Sequence, residues 1–199
     1  MTTTIGILLF EDSEELDFVG PWEVFTMAAQ GRDDIRVLTL AESAEPVRCA
    51  KGMRVIPDHD LANAPALDIL LVPGGVGTRS EADNTELIAW IAKTAGSCTW
   101  VTSVCTGSLL LAKAGLTDGK RITTHWGFVP ELAKQMPGTT VLSDARYVRD
   151  GNLVTAAGVS AGIDMALWLT GQIWGPDHAR KTQRLMEYDP APPYAAVVE

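Results

Sequence analysis

The chain reads as an α/β protein, a mostly parallel sheet with helices on both faces and a strand-to-helix elbow that carries a cysteine. Three observations predict this. Short apolar runs alternate with helix-length segments, the pattern of a covered parallel sheet. Two of those runs, Thr4 to Phe10 and Asp68 to Val72, are almost continuously apolar, as strands buried on both faces are. A third, Trp100 to Val104, passes straight into a helical stretch, Thr106 to Ala114, with Gly115 in the stop position and Cys105 at the joint.

The remaining elements follow in order. After the first strand comes the acidic loop Glu11-Asp-Ser-Glu-Glu15. Pro21 then suits the first turn of a helix that runs to Gln30 and closes at Gly31. Ile35 to Leu40 is the second strand, and Val47 to Ile56 reads as a short hairpin on a sheet edge. Pro73-Gly74-Gly75-Val76-Gly77 ends the third strand, and Asp83 with Glu86 has capping-box spacing for a helix to Gly96. Lys120 to Trp126 precedes a helix starting near Pro130. Tyr147 to Thr155 is a hairpin whose Asp150-Gly151 signals a type I′ turn. Gly158 to Gly162 opens a long apolar helix, Ile163 to Ile173, with Asp164 inside it, and Pro176 starts another through Met186. The tail Tyr188 to Tyr194 is expected to lie extended along the surface.

Composition narrows the function classes. A chain of 199 residues fits one domain, residues 1–199. Its net charge of −9 and absence of a basic run speak against a nucleic-acid partner, because phosphate contacts need clustered Lys and Arg. The N-terminus lacks a signal-peptide pattern, and no apolar stretch approaches the roughly 20 residues that span a bilayer. Cys49, Cys98 and Cys105 form no metal-ligand spacing and no even disulfide framework. The expectation is a cytoplasmic protein with no membrane partner and no metal.

The chemistry centres on Cys105. A strand-to-helix turn lifts a side chain out of the packing and aims it at a helix N-terminus, where free N–H groups favour a thiolate. In a parallel sheet, ligands bind beyond the carboxyl ends of the strands. That rule gathers Asp17 after the first strand, Gly74 and Gly75 after the third, and Cys105 after the next. Asp17 stands among apolar neighbours, which reads either as a helix N-cap or as a site carboxyl. Glycines after a strand let backbone amides approach a ligand closely. They lack the spacing of a dinucleotide fingerprint. His125 is a possible base, although Thr106, not a histidine, follows the cysteine. Trp22, Trp126 and Phe128 are either pocket-lining or core residues.

The segments Leu16-Asp-Phe-Val-Gly-Pro21, Pro73-Gly-Gly75, Val101-Thr-Ser-Val-Cys-Thr-Gly-Ser108, Thr123-Thr-His-Trp126, Val148-Arg-Asp-Gly-Asn-Leu153, Ala161-Gly-Ile-Asp164 and Glu187-Tyr-Asp-Pro-Ala-Pro-Pro193 resemble the DJ-1/PfpI superfamily nearly end to end. That resemblance implies a flavodoxin-like, class I glutamine amidotransferase-like domain and a homodimer. Within the superfamily the pattern is most similar to the isocyanide hydratase branch. Glyoxalase-type members carry a glutamate where this chain has Asp17, and PfpI-type peptidases a histidine where it has Thr106. Regulator members append a DNA-binding module, which is not expected here. The branch implies a small-molecule substrate and a hydro-lyase needing no cofactor. Cys105 is then the nucleophile, Asp17, with a raised pKa, the acid and base, and Thr106 with the amides of Gly74 and Gly75 the supports for sulfur, substrate and developing charge. Glyoxalase-like chemistry at Cys105, a cysteine redox sensor or stress protein, and a regulator-like binding domain remain as alternatives.

Overall fold

The computed structural model describes residues 2–190. Its strands are β1 (Thr3–Leu8), β2 (Ile35–Ala41), β3 (Val47–Arg48), β4 (Arg54–Val55), β5 (His59–Asp60), β6 (Ile69–Val72), β7 (Trp100–Val104), β8 (Arg121–Ile122), β9 (Thr140–Val141), β10 (Tyr147–Asp150) and β11 (Leu153–Ala156). The helices are α1 (Glu15–Ala28), α2 (Thr78–Glu81), α3 (Thr85–Ala95), α4 (Gly107–Lys113), α5 (Val129–Gln135), α6 (Ala161–Trp174) and α7 (Pro176–Leu185). Seven strands form the central sheet in the order β10-β11-β7-β6-β1-β2-β5. Every neighbouring pair is parallel except the β10–β11 hairpin. The predicted α/β class with a mostly parallel sheet therefore holds.

Both faces of the sheet are covered, which explains the continuous apolar runs. On one face Ile5, Ile7, Ile69 and Leu71 pack with Phe18 and Phe25 of α1 and Met165 and Leu169 of α6. On the other, Leu8, Leu70, Val72 and Val101 pack with Leu87 and Ile91 of α3 and Leu109 and Leu110 of α4. Alternate residues of β6 thus serve opposite cores. From β1 the chain builds outward through β2, then crosses back to β6 and β7. The strand order reverses between β1 and β6, and that reversal opens a crevice at their carboxyl ends.

Several local expectations are corrected. The first helix begins at Glu15, so Pro21 lies inside it and not in its first turn. The residue at the N-cap is Glu14, with no side-chain cap, and Asp17 is a buried first-turn residue instead of a cap. The hairpin β3–β4 is a separate two-stranded ladder, and β5 holds the sheet edge. The hairpin is drawn over the acidic loop: the Arg48 amide donates to Glu11 Oε1 at 3.0 Å, and Lys51 Nζ reaches Glu14 Oε2 at 2.6 Å. The α3 cap is Asn84, whose side chain accepts from the Leu87 amide, rather than the Asp83–Glu86 box. In the β10–β11 turn only Gly151 has positive φ (64°), the sign pattern of type II′ and not I′. The short α2 helix, the β8–β9 ladder and the single turn Trp126–Phe128 were not legible as elements. The tail expectation falls mostly on positions from 191 onward, outside the described residues. Among the described residues no helix is long and apolar enough to cross a membrane.

Leu70, fully buried at the centre of β6, tests this packing. Leu70→Ala is expected to lower unfolding free energy by about 2–5 kcal/mol. In urea titration this appears as a lower midpoint with an unchanged slope.

Candidate active site

Three chain segments meet where the strand order reverses. The first is the loop after β1 together with the first turn of α1. Glu14 donates its amide to the Gly74 carbonyl at 2.9 Å, and Ser13 forms an isolated bridge with Gly75. This lacing fixes Asp17 beside the end of β6. The second is the Pro73–Gly77 turn. A Cβ on Gly74 would fall 2.6 Å from the Thr106 amide nitrogen, 2.7 Å from Cys105 Cβ and 2.8 Å from Asp17 Oδ2. Only glycine permits all three groups to converge there.

The third segment is the elbow after β7. Cys105 has φ 56°, a left-handed conformation that L residues rarely hold. Its backbone is pinned on both sides. The Cys105 amide donates to the Ala156 carbonyl at 3.0 Å. The Cys105 carbonyl accepts from Thr124 Oγ1 at 2.9 Å and from Ser108 Oγ at 3.0 Å. The strain is thus over-determined by neighbours, as at many functional sites.

Asp17 is completely buried, and both carboxylate oxygens are engaged. Oδ2 accepts from the Gly74 amide at 2.9 Å and Oδ1 from the Val159 amide at 3.0 Å. Burial raises its pKa to about 7, against the pull of those two amides; the charge of Glu14 adds to the rise and the Cys105 side chain opposes it. Cys105, 8% exposed, is pushed up to about 12, first by burial and next by the charge of Asp17. The amide and hydroxyl of Thr106 pull it back only in part. The shift of Asp17 runs in the expected direction, whereas that of Cys105 runs opposite to the lowering expected from a helix N-terminus. The α4 helix spans only 7 residues, and its dipole does not outweigh desolvation beside a carboxylate.

The glycine amides also differ from expectation. The Gly74 amide is given to Asp17 and the Gly75 amide to Thr106 Oγ1 at 3.1 Å. They hold site side chains in place, and neither is a free anion donor. His125 borders the same space: a Cβ on Gly158 would lie 3.0 Å from His125 Cδ2 and 3.5 Å from Cys105 Sγ. His125 Nδ1 accepts from the Gly127 amide at 3.2 Å, so a neutral ring carries its proton on Nε2. That tautomer is a donor at its free edge, which disfavours a role as base. Trp126 is 81% exposed and lines a trough of about 500 Å³ whose walls mix Val129, Pro130 and Ala157 with Thr123, Asp144 and Arg146. Phe128 is buried in the core, and Trp22 is exposed on α1.

Sequence reasoning did not assign Thr78, Thr124, Ser108 or the Val159 amide to the site. Thr78 Oγ1 contacts the Gly75 carbonyl at 2.8 Å and Thr106 Oγ1 at 3.0 Å. Small hydroxyl residues give no periodic signal. The run Gly158 to Gly162 announced a helix start without saying what its amides would meet.

Comparison with known proteins identifies relatives of this chain. A family model described as "DJ-1/PfpI family" matches residues 3–172. An isonitrile hydratase from Pseudomonas putida is 39% identical over 98% of this chain and 82% of its own. The transcriptional regulator GbdR from Pseudomonas aeruginosa is 30% identical over 94% of this chain, which spans only 51% of that regulator. A solved ThiJ/PfpI family protein from Pseudomonas syringae superposes with a TM-score of 0.89 at 33% identity, covering 97% of this chain and 78% of that one. The strained cysteine at the end of β7 and the match across most of the sequence lead to one conclusion: the chain belongs to the DJ-1/PfpI family.

Proposed function

We propose that this protein is an isocyanide hydratase, converting R–N≡C and water to the N-substituted formamide. The observation that carries the reading is the buried pair of Asp17 and Cys105, a carboxyl group and a thiol sharing a site from which a side chain at position 74 is excluded. The likeness to an isonitrile hydratase over nearly the whole chain supports the substrate class.

The terminal carbon of an isocyanide accepts a nucleophile and must then gain a proton at that same carbon. A thiol beside a carboxylate supplies both. Asp17 takes the S–H proton as the Cys105 sulfur forms a bond to carbon, and then returns that proton to the carbon. The product is a thioimidate, R–N=CH–S–Cys105. Asp17, ionised again, takes a proton from water as its oxygen adds to the imidate carbon, and the nitrogen receives that proton. The C–S bond of the resulting R–NH–CH(OH)–S–Cys105 then breaks. The hydroxyl proton passes to the sulfur, releasing R–NH–CHO and the free thiol. Thr106 supports the sulfur through its amide and hydroxyl, and His125 offers Nε2–H to the water or the hydroxyl. Every proton is carried by the chain's own groups, so this sequence calls for no metal or organic cofactor.

The titration order sets the pH dependence. The pair works with one shared proton, that is, with Asp17 ionised and Cys105 as thiol. With Asp17 at about 7 and Cys105 at about 12, kcat/KM is expected to rise through neutrality and then hold a plateau into the alkaline range. A rate that falls as pH rises through 7 overturns the assignment of Asp17 as first proton acceptor.

Conversion of cyclohexyl isocyanide to its formamide, followed by mass spectrometry, tests the activity itself. Cys105→Ala is expected to abolish turnover with an unchanged circular dichroism spectrum. Asp17→Asn is expected to lose at least about 100-fold in kcat and the acid limb of the profile. Gly74→Ala forces the new methyl onto backbone and Asp17, so a large loss of kcat is expected from a folded protein. Turnover near that of the unsubstituted protein in Cys105→Ala refutes the mechanism. No turnover of any isocyanide refutes the substrate class.

A further inference from the structure

We propose that Gly158 is the specificity-determining residue of this site. The side chain it lacks leaves a gap beside the Cys105 sulfur that is one carbon atom wide. The gap admits an electrophilic carbon with nothing to either side of it and turns away a branched one. This deepens the hydratase reading and rests on its assignment of Cys105 as the nucleophile.

The glycines around the sulfur are there for different reasons. A Cβ on Gly74 would lie 2.6 Å from the Thr106 amide nitrogen, and Gly75 sits at φ 127°, so backbone geometry accounts for both. Neither reason applies to Gly158. Its φ is not positive, and it is half-buried. The three atoms nearest to a Cβ there, its chain neighbours aside, all belong to side chains. They are His125 Cδ2 at 3.0 Å, Cys105 Sγ at 3.5 Å and Cys105 Cβ at 3.6 Å. A separation of 3.5 Å is ordinary van der Waals contact. The place of the missing methyl group is therefore a place where a carbon touching the sulfur can lie. The 3.0 Å to His125 leaves no room there for anything wider.

The walls of this gap are fixed. His125 Nδ1 accepts from the Gly127 amide at 3.2 Å, and the ring packs on Trp126 with centroids 5.5 Å apart. Thr124 and Ser108 hold the Cys105 carbonyl. The chain on either side of Gly158 is tied as well. The Ala157 amide donates to the Arg146 carbonyl at 2.9 Å, and the Val159 amide to Asp17 Oδ1 at 3.0 Å. A gap with pinned walls selects by shape. An isocyanide presents a terminal carbon with its nitrogen in line behind it, so its reacting end is one atom across. The reacting carbon of a dicarbonyl carries atoms to both sides and meets His125 or Cys105 Cβ before it meets the sulfur.

The test compares two reagents on the native protein, with peptide mass reading the rate at Cys105. Iodoacetamide offers a CH2 carbon at the end of a chain, and N-ethylmaleimide a carbon within a ring. Dividing one rate by the other at a single pH removes the thiolate fraction, which is common to both. The iodoacetamide-to-maleimide ratio is expected to be at least about tenfold higher for Cys105 than for glutathione. A ratio equal to that of glutathione overturns the proposal. Gly158→Ala is expected to slow iodoacetamide at Cys105 by at least about tenfold. Adding His125→Ala, which takes away the opposite wall, is expected to restore the rate to within about threefold of the native protein. No slowing in Gly158→Ala overturns the proposal, and so does a slowing that loss of the His125 ring does not relieve. Should Gly158→Ala fail to fold, the ratio on the native protein decides alone. None of these measurements needs an isocyanide. Absence of isocyanide turnover beside a high ratio refutes the hydratase reading alone, and turnover beside the ratio of glutathione refutes this proposal alone.

Discussion

One buried carboxylate ties the site together. Asp17 projects from the first turn of α1, takes one amide from the turn after β6 and another from the segment that opens α6. Hydrogen bonds to a charged group are each worth about 1.5–3 kcal/mol, but they do not offset its removal from water. Asp17 still titrates at about 7 in place of 3.8, a difference of about 4 kcal/mol against the ionised form. The sign of the consequence is definite. The folded protein binds this proton more tightly than the unfolded chain. Its contribution to stability is therefore complete below about pH 4 and is lost as pH rises through 7. A group that strains the fold in its ionised form at working pH has a structural reason to recover a proton, which is the property its proposed role requires.

The elbow carries a second, smaller strain. Placing an L residue in the left-handed region costs about 1–2 kcal/mol. Cys105 remains there because its amide completes the β7–β11 ladder while Thr124 and Ser108 hold its carbonyl. Relaxing the turn would give up those bonds. The strained sulfur and the strained carboxyl are adjacent because the same reversal of strand order leaves the ends of β6 and β7 beside the loop after β1. Gly74 completes the arrangement by having no side chain. Topology brings the segments together, and one missing methyl group lets them touch.

This division explains what the sequence made legible. Buried strands announce themselves because both faces need apolar residues, so β1, β6 and β7 and the cysteine joint were readable. Convergence of Asp17, the Gly74 turn and Cys105 followed from the rule about strand ends. Boundaries set by competing local signals were harder. Pro21 is a strong helix-start residue, yet α1 starts at Glu15, because lacing of Glu14 to the Gly74 carbonyl nucleates the first turn earlier. Asp83 and Glu86 offered a capping box, but Asn84 caps α3 with its own side chain. The supporting threonines were invisible for a different reason. Thr78 and Thr124 act through single hydroxyls aimed at the Gly75 and Cys105 carbonyls, and neither spacing nor propensity encodes such aim.

The least legible quantity was the charge of the sulfur. Local sequence weighs a helix N-terminus against burial, and in isolation the helix favours a thiolate. The fold reverses that balance first by burying the sulfur and next by adding the charge of Asp17 to the same enclosed volume, and both push the thiol pKa up. A preformed thiolate suits an electrophile that needs only a nucleophile. A thiol whose proton is held by a neighbouring carboxyl suits one that must be attacked and protonated at the same atom. Isocyanide carbon is of the second kind. For the proposed hydration, the arrangement that looks unfavourable for making a thiolate is therefore the one that would keep nucleophile and proton together for a carbon that must take both.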